Sequence, residues 1–211
     1  MKIEVFSDIA CPWCYIGERR LQKALQARPD LQVQVEWKPF QLQPNIPREG
    51  YPWEAFMSRK FGGTAQMQAA FAQVAQAGKP DGIEFNFAQV ARAINTVDGH
   101  RLILWARSHN KQWELADALF QAHFSDGKNL NDPDDLLAVV ASVGLDTETA
   151  RAFLQSGAME AEVEASQQLA AQFGIQGAPF FVFDRKYGLS GAQPVEALLQ
   201  VFDELEKTAM V

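Results

Sequence analysis

The chain contains two cysteines, Cys11 and Cys14, and both lie near its start. Two residues between thiols allow a disulfide that opens and closes readily, and this spacing at a strand-to-helix junction is typical of a dithiol redox site. Such a site exchanges its own disulfide with that of a substrate through a mixed disulfide. The pair therefore indicates thiol–disulfide chemistry.

The residues on either side of this pair predict a strand followed by a helix. Residues 2 to 7 alternate in side-chain character as a β-strand does, and apolar residues recur at helical intervals after Pro12. Pro12 suits the first turn of a helix, where its missing N–H group is not needed. Cys14 falls on the inward stripe of this helix, whereas Cys11 precedes the first turn.

These positions predict different roles for the two sulfur atoms. Unpaired backbone N–H groups and the positive end of the helix dipole favour a thiolate at Cys11. We therefore expect Cys11 to be exposed at the helix tip and to attack a substrate disulfide. Cys14, which is sheltered, is expected to resolve the mixed disulfide. Cys11 and Cys14 are the predicted catalytic residues.

Three other interpretations of the cysteine pair compete with a redox site. Half of a zinc site would need two more ligands, and the spacing of His100, His109 and His123 does not match an H-x₃₋₅-H half-site. A purely structural disulfide across so short a gap would constrain the unfolded chain very little. Two inert buried thiols are the third interpretation. The redox site is favoured because its spacing and its strand-to-helix context agree.

Composition bears on the class of partner. A chain of 211 residues, 47% hydrophobic and 21% charged, predicts one large domain or a domain with an insertion. A formal net charge of −7 disfavours nucleic acid as a partner. We see neither a secretory signal nor an apolar segment long enough to span a membrane, so we expect a cytoplasmic protein without a membrane partner. A reducing compartment favours reduction or isomerisation of disulfides over their formation.

The remaining pattern predicts an α/β protein. A second strand is expected near residues 33 to 37, and a proline-rich loop follows over residues 40 to 51. Residues 53 to 173 read as a string of helices. An apolar strand at residues 180 to 183, a turn at 184 to 187, a short partner strand at 188 to 190 and a final helix from Pro194 complete the order.

Two segments of the chain resemble the thioredoxin superfamily, and more narrowly its DsbA-like branch, which includes the FrnE-type oxidoreductases. They are Cys11-Pro12-Trp13-Cys14 and residues 177 to 182, Gly-Ala-Pro-Phe-Phe-Val. Residues 39 to 44 and residues 95, 96, 100 and 101 are similar more loosely. The resemblance implies a thioredoxin-like fold with a large all-helical insertion after the second strand. Residues 1–42 and 174–211 would form the core, and residues 43–173 the inserted helical domain.

The resemblance also implies which residues surround the cysteines. A cis Ala178–Pro179 bond would lie against both of them and leave the Ala178 backbone free to pair with an extended substrate segment. Asn95, Thr96 and His100 would come toward the site, although Asn95 and Thr96 are by themselves natural residues for the start of a helix. The residues predicted to bind substrate are Pro12, Trp13, Asn95, Thr96, His100, Ala178 and Pro179.

We expect a thiol–disulfide oxidoreductase that needs neither a metal nor a bound cofactor. Its substrate would be a disulfide-containing protein or small molecule, and a thiol such as glutathione would supply electrons. One alternative is a glutathione-dependent isomerase or kappa-class transferase, similar to the 2-hydroxychromene-2-carboxylate isomerases; the resemblance implies serine at the position of Cys11 in those enzymes. The other is a redox-sensing binding module that changes a partner interface without turnover.

Trp13 predicts a less oxidising redox couple than a histidine at the same position would. A protonated imidazole near the start of the helix favours the Cys11 thiolate, whereas indole has no charge to contribute. Trp13→His should therefore raise the reduction potential, measured by equilibration with glutathione buffers. Trp13→Phe adds no charge and serves as the control. A potential that stays the same or falls in Trp13→His would contradict this account.

Overall fold

The chain folds into a four-stranded sheet with helices on both faces. The computed structural model describes residues 1–209. Within these residues no helix has both the length and the apolar character needed to cross a membrane. The strands are β1 Lys2–Ser7, β2 Gln34–Pro39, β3 Tyr51–Pro52, β4 Arg92–Ala93, β5 Phe180–Phe183 and β6 Tyr187–Ser190. The helices are α1 Pro12–Ala27, α2 Trp53–Phe61, α3 Thr64–Gly78, α4 Val97–Ala106, α5 Gln112–Phe124, α6 Pro133–Ser142, α7 Thr147–Gln155, α8 Glu160–Gln172 and α9 Val195–Ala209.

The sheet has the strand order β2-β1-β5-β6. β1 runs parallel to β2 and antiparallel to β5, and β6 pairs antiparallel with β5. The helices α2 to α8 lie between β2 and β5 in the chain. The predicted thioredoxin-like α/β fold with a helical insertion after the second strand is therefore confirmed. The paired strands β3 and β4 were not predicted, since a strand of two residues leaves no periodic pattern.

Both faces of the central strand β1 are covered. On one face Val5 packs with Leu21 of α1 and Phe202 of α9. On the other face Phe6 packs with Ala170 of α8. The alternation predicted for residues 2 to 7 therefore sorts their side chains between two apolar layers rather than between core and solvent.

The largest apolar cluster runs from the start of α1 into the helical block. Cys14, Tyr15 and Trp37 belong to it together with Leu119 and Phe120 of α5. The sheet and the helical block therefore share one continuous core beside the cysteines. The boundaries of the two predicted domains stay a prediction, and residues 210 and 211, which the predicted core included, lie outside the described residues.

A buried arginine anchors α4 against the segment that joins α7 to α8. Arg101 is 2% exposed. Its guanidinium donates to the carbonyl oxygens of Phe153, Leu154 and Ala158 at 3.1, 3.1 and 2.7 Å, and to the carboxylate of Asp98 at 2.7 Å. A buried charge is tolerated when its donors are satisfied in this way. The contacts hold α4, and with it the neighbouring His100, in place.

Arg101→Leu should lower the free energy of unfolding by about 1–3 kcal/mol, because it removes the donor shared by the carbonyl oxygens of Leu154 and Ala158, whereas Asp98 keeps its ion pair with Arg48. Urea denaturation followed by circular dichroism measures the loss. Arg151→Leu is the control: the Arg151 side chain is 44% exposed and forms an ion pair with the exposed Asp134, so a change of at most about 0.5 kcal/mol is expected. Equal losses in the two variants would show that Arg101 does not anchor α4.

Candidate functional site

Cys11 occupies the N-cap position of α1, directly before Pro12. Its backbone N–H donates to the carbonyl oxygen of Asp8 at 2.9 Å, which holds the turn between β1 and α1. The Cys11 thiol donates to the carbonyl oxygen of Ala178 at 3.5 Å. Cys11 thus precedes the first helical turn, as predicted. The prediction that it is exposed was wrong: Cys11 is only 4% exposed, because Ala178 and its surroundings cover it.

Cys14 lies one turn along α1 and is 1% exposed. Its Sγ atom accepts a hydrogen bond from the backbone N–H of Asp8 at 3.5 Å. Both cysteines are free thiols in this structure. Burial raises the pKa of the Cys14 thiol well above its ordinary value, and the neighbouring Cys11 raises it further. Cys14 therefore holds its proton at neutral pH.

Pro179 packs against α1 beside the cysteines, and the Ala178–Pro179 peptide bond is cis. The contact falls at Gly17, where a Cβ atom would come within 3.0 Å of Pro179 Cγ and 3.2 Å of Phe181 Cζ. The absence of a side chain at Gly17 therefore permits this close approach. Together with the hydrogen bond from Cys11, it brings a segment from the far end of the chain against the cysteine pair.

A cleft of about 400 Å³ opens beside Cys11. The start of α1, including Trp13, and Ala178 form one side of it, and α2 and α3 form the other. Among the residues that the structure describes, Lys60 is the only charged one that lines it. Gln73 adds a side-chain amide. The other residues of the lining are Ala10, Pro12, Leu42, Trp53, Met57, Phe61, Ala70, Phe71 and Val74.

A buried carboxylate lies behind the cysteines. Asp8 is 1% exposed. One carboxylate oxygen accepts from the backbone N–H of Leu42 at 2.8 Å, and the other from that of Ala10 at 3.2 Å. The same oxygen that faces Ala10 lies 3.4 Å from Nε2 of His100. Asp8 therefore joins the turn between β1 and α1 to the loop after β2 and to α4.

His100 is fully buried behind Asp8. The indole Nε1–H of Trp37 donates to His100 Nδ1 at 3.3 Å. Because an indole nitrogen can only donate, Nδ1 is the acceptor in this contact, and Nε2 is the ring nitrogen that faces Asp8. The resemblance predicts that His100 comes toward the cysteines; in the structure His100 faces Asp8, which lies behind them. His100 has no surface open to a substrate and does not line the cleft.

Asn95 and Thr96 connect the loop after β2 to the start of α4. Asn95 Oδ1 accepts from the backbone N–H of Val97 at 3.1 Å, and Asn95 Nδ2 donates to the carbonyl oxygen of Ile46 at 2.6 Å. Thr96 Oγ1 accepts from the side-chain amide of Gln41 at 3.4 Å. Thr96 occupies the N-cap position of α4, but its side chain makes no capping hydrogen bond. The contact from Asn95 to Val97 is the local side-chain-to-backbone bond that asparagine forms in turns.

The structure brings four of the predicted substrate-binding residues to the cysteine pair. Pro12, Trp13 and Ala178 line the cleft, and Pro179 packs on α1 beside it. The structure does not bring Asn95, Thr96 or His100 to the wall of the cleft. Their contacts are with the protein itself, which favours a role in holding the loop after β2 and α4.

Asp8 is the site residue that the sequence analysis missed. The signal was present, since a carboxylate directly follows the last strand residue, Ser7, and stands three positions before Cys11. Sequence alone does not show that this carboxylate is buried, because its partners Leu42 and His100 lie far along the chain.

Comparison with known proteins gives the family. The DSBA-like thioredoxin domain matches residues 2–203, and the chain therefore belongs to the DsbA-like family of the thioredoxin superfamily. A crystal structure of a probable DsbA oxidoreductase from Streptomyces coelicolor is 36% identical, with a TM-score of 0.90 over 97% of this chain and 89% of that one. Both the family and this neighbour support the class of oxidoreductase or isomerase.

Two more distant structures share the fold. The cytosolic disulfide reductase DsbM from Pseudomonas aeruginosa, solved with GSH, is 19% identical, with a TM-score of 0.65 over 100% of both chains. A 2-hydroxychromene-2-carboxylate isomerase is 15% identical, with a TM-score of 0.72 over 100% of this chain and 98% of that one. The same architecture therefore occurs in proteins named for different reactions.

The different surroundings of the two thiols predict different alkylation. Iodoacetamide at pH 7 should modify Cys11, which lines the cleft, and leave Cys14 unmodified, as measured by peptide mass spectrometry. In Cys11→Ser, labelling of Cys14 should rise with pH and continue to rise above about pH 9, because burial keeps the pKa of this thiol above its ordinary value. The denatured protein, in which both thiols should react, is the control. Rapid labelling of Cys14 in the native protein at pH 7 would contradict this arrangement.

Proposed function

We propose that the protein is a thiol–disulfide oxidoreductase that reduces or isomerises disulfides through Cys11 and Cys14. The observation that carries this proposal is the asymmetry of the pair: Cys11 lines the cleft, whereas Cys14 lies behind it and is 1% exposed. A sulfur that substrate can reach and a second sulfur that it cannot reach are what attack and resolution require.

The reaction proceeds in two exchanges. The Cys11 thiolate attacks one sulfur of the substrate disulfide, and the other substrate sulfur leaves as a thiolate. The Cys14 thiolate then attacks the Cys11 sulfur, which closes the protein disulfide and releases the second substrate thiol. Two equivalents of a thiol such as glutathione return the pair to the dithiol state. No metal or bound cofactor takes part in this scheme.

The main difficulty of this cycle lies at Cys14, because burial disfavours its thiolate. The backbone N–H of Asp8 donates to Cys14 Sγ, and a donor of this kind stabilises a thiolate as it forms. The Asp8 side chain fixes the orientation of this N–H group through its own contacts with Ala10 and Leu42. Asp8 is thus a positioning residue for the resolving step.

We further propose that electrons flow from cellular thiols to the substrate in a reducing compartment. The absence of a positively charged residue between the two cysteines supports this direction, since Trp13 gives the Cys11 thiolate no ionic partner. The structural neighbour DsbM, which is named a cytosolic disulfide reductase, supports the same direction.

The test is turnover of insulin and of oxidised glutathione by the wild type and two variants. Cys11→Ser should abolish reduction of both substrates, because it removes the attacking sulfur. Cys14→Ser should stop after one exchange and accumulate a mixed disulfide on Cys11, which intact mass spectrometry detects. The wild type should turn over many times with a thiol donor.

Two results would contradict the proposal in different ways. Full activity of Cys14→Ser on a small glutathione-linked substrate would favour the isomerase class, whose chemistry needs no resolving cysteine. A single turnover of the wild type, with thiol donor in excess, would favour a redox-sensing binding module.

A further inference from the structure

The wall of the cleft opposite Cys11 is made of aromatic rings. Trp53 of α2 stacks on Phe71 of α3, with ring centroids 5.6 Å apart and an interplanar angle of 17°. Phe61 packs edge-on against Phe71 at 5.7 Å and remains 37% exposed. Trp53 is 6% exposed and Phe71 also stacks on Phe87, with ring centroids 4.3 Å apart, so Phe61 is the most accessible ring of the three. The wall therefore offers apolar surface at Phe61 and at the edges of the stacked rings to an aromatic or aliphatic group.

Lys60 gives this aromatic wall a single positive charge. It lies in the last turn of α2 and lines the cleft. Within residues 1–209 no carboxylate lies within ion-pair distance of its ammonium group. Lys60 is exposed to solvent, as Arg59 is, but it is the one of the two that lines the cleft. The chain as a whole has a formal net charge of −7. An unpaired cation beside an apolar wall therefore provides a partner for an anion on the ligand.

The burial of Cys11 limits the size of what can reach it. At 4% exposure, its sulfur meets a substrate only inside the cleft. The cleft volume of about 400 Å³ lies toward the lower end of the range of small-molecule pockets, roughly 300–1,000 Å³. A cleft of this volume is large enough for a small disulfide, whereas a disulfide on a folded protein surface would have to present one of its sulfur atoms inside it.

We propose that the substrate class is a disulfide of low molecular weight in which an aromatic group bears a carboxylate. The ring lies against the aromatic wall at Phe61, the carboxylate pairs with Lys60, and one sulfur meets Cys11. This inference rests on the proposed function. The protein dithiol loses two electrons and becomes a disulfide, and the substrate disulfide gains them and becomes two thiols, which receive the two protons of Cys11 and Cys14.

The test compares two aromatic disulfides that differ in charge. The fully reduced protein is mixed in a stopped-flow instrument with 5,5′-dithiobis(2-nitrobenzoate), which carries two carboxylates, or with 4,4′-dithiodipyridine, which is neutral at pH 7.5. Both release coloured thiol products. The comparison is made for the wild type, Lys60→Gln and the control Arg59→Gln. Arg59 is an exposed cation on the same helix that does not line the cleft.

Lys60→Gln should slow the reaction with the dicarboxylate about fivefold relative to the reaction with the neutral disulfide, the size expected for loss of one solvent-accessible ion pair. Lys60→Glu should enlarge this difference. Arg59→Gln should leave the ratio of the two rates within about twofold of the wild type. The effect of Lys60→Gln should shrink in 0.5 M salt, because added ions screen the charge.

Equal slowing of both disulfides by Lys60→Gln, or the same ratio change in Arg59→Gln, would overturn the proposal that Lys60 recognises the carboxylate. A larger effect of Lys60→Gln on insulin reduction than on the dicarboxylate would overturn the assignment to small molecules. If neither small disulfide oxidises the wild-type dithiol, the proposed oxidoreductase function itself fails. The three failures are therefore distinguishable.

Discussion

The site depends on the burial of one carboxylate, that of Asp8. Asp8 can be buried only because two backbone N–H groups donate to it and His100 faces it. These partners come from the turn before α1, the loop after β2 and the start of α4. The contacts that satisfy the carboxylate therefore also fix the position of the helical block relative to the cysteines. A buried carboxylate without partners would destabilise the fold by several kcal/mol. Each of the three segments therefore depends on the other two to keep the Asp8 side chain satisfied.

Much of the fold could be predicted because its signals are local. Pro12 and Pro133 mark first helical turns, Gly62 and Gly63 separate α2 from α3, and the apolar run at residues 180 to 183 indicates a covered strand. Each of these features depends on a residue and its near neighbours in the chain. The order of strands and helices followed from them, and the two cysteines indicated the class of chemistry.

The parts that could not be predicted depend on contacts between distant segments. Cys11 stands at the tip of a helix, which suggests exposure, but Ala178 comes to lie on it from the other end of the chain. His100 is a polar residue of a type often found in active sites, but its partners Trp37 and Asp8 place it inside the protein. The spacing of apolar residues cannot show that Cys11 and His100 are buried. That spacing indicates where a helix or strand lies, but not which distant segment packs on top of it.

The two sides of the cleft come from different parts of the architecture. The side that carries the cysteines belongs to the turn between β1 and α1, and Asp8 ties it tightly to the rest of the protein. The opposite side is formed by α2 and α3, which are joined by Gly62 and Gly63. The aromatic side chains on these two helices do not take part in the exchange of sulfur. Side chains on α2 and α3 can therefore be exchanged, and the set of accepted molecules changed, without moving the cysteines or the buried carboxylate that holds their turn. Selectivity and sulfur chemistry are separable properties of this molecule.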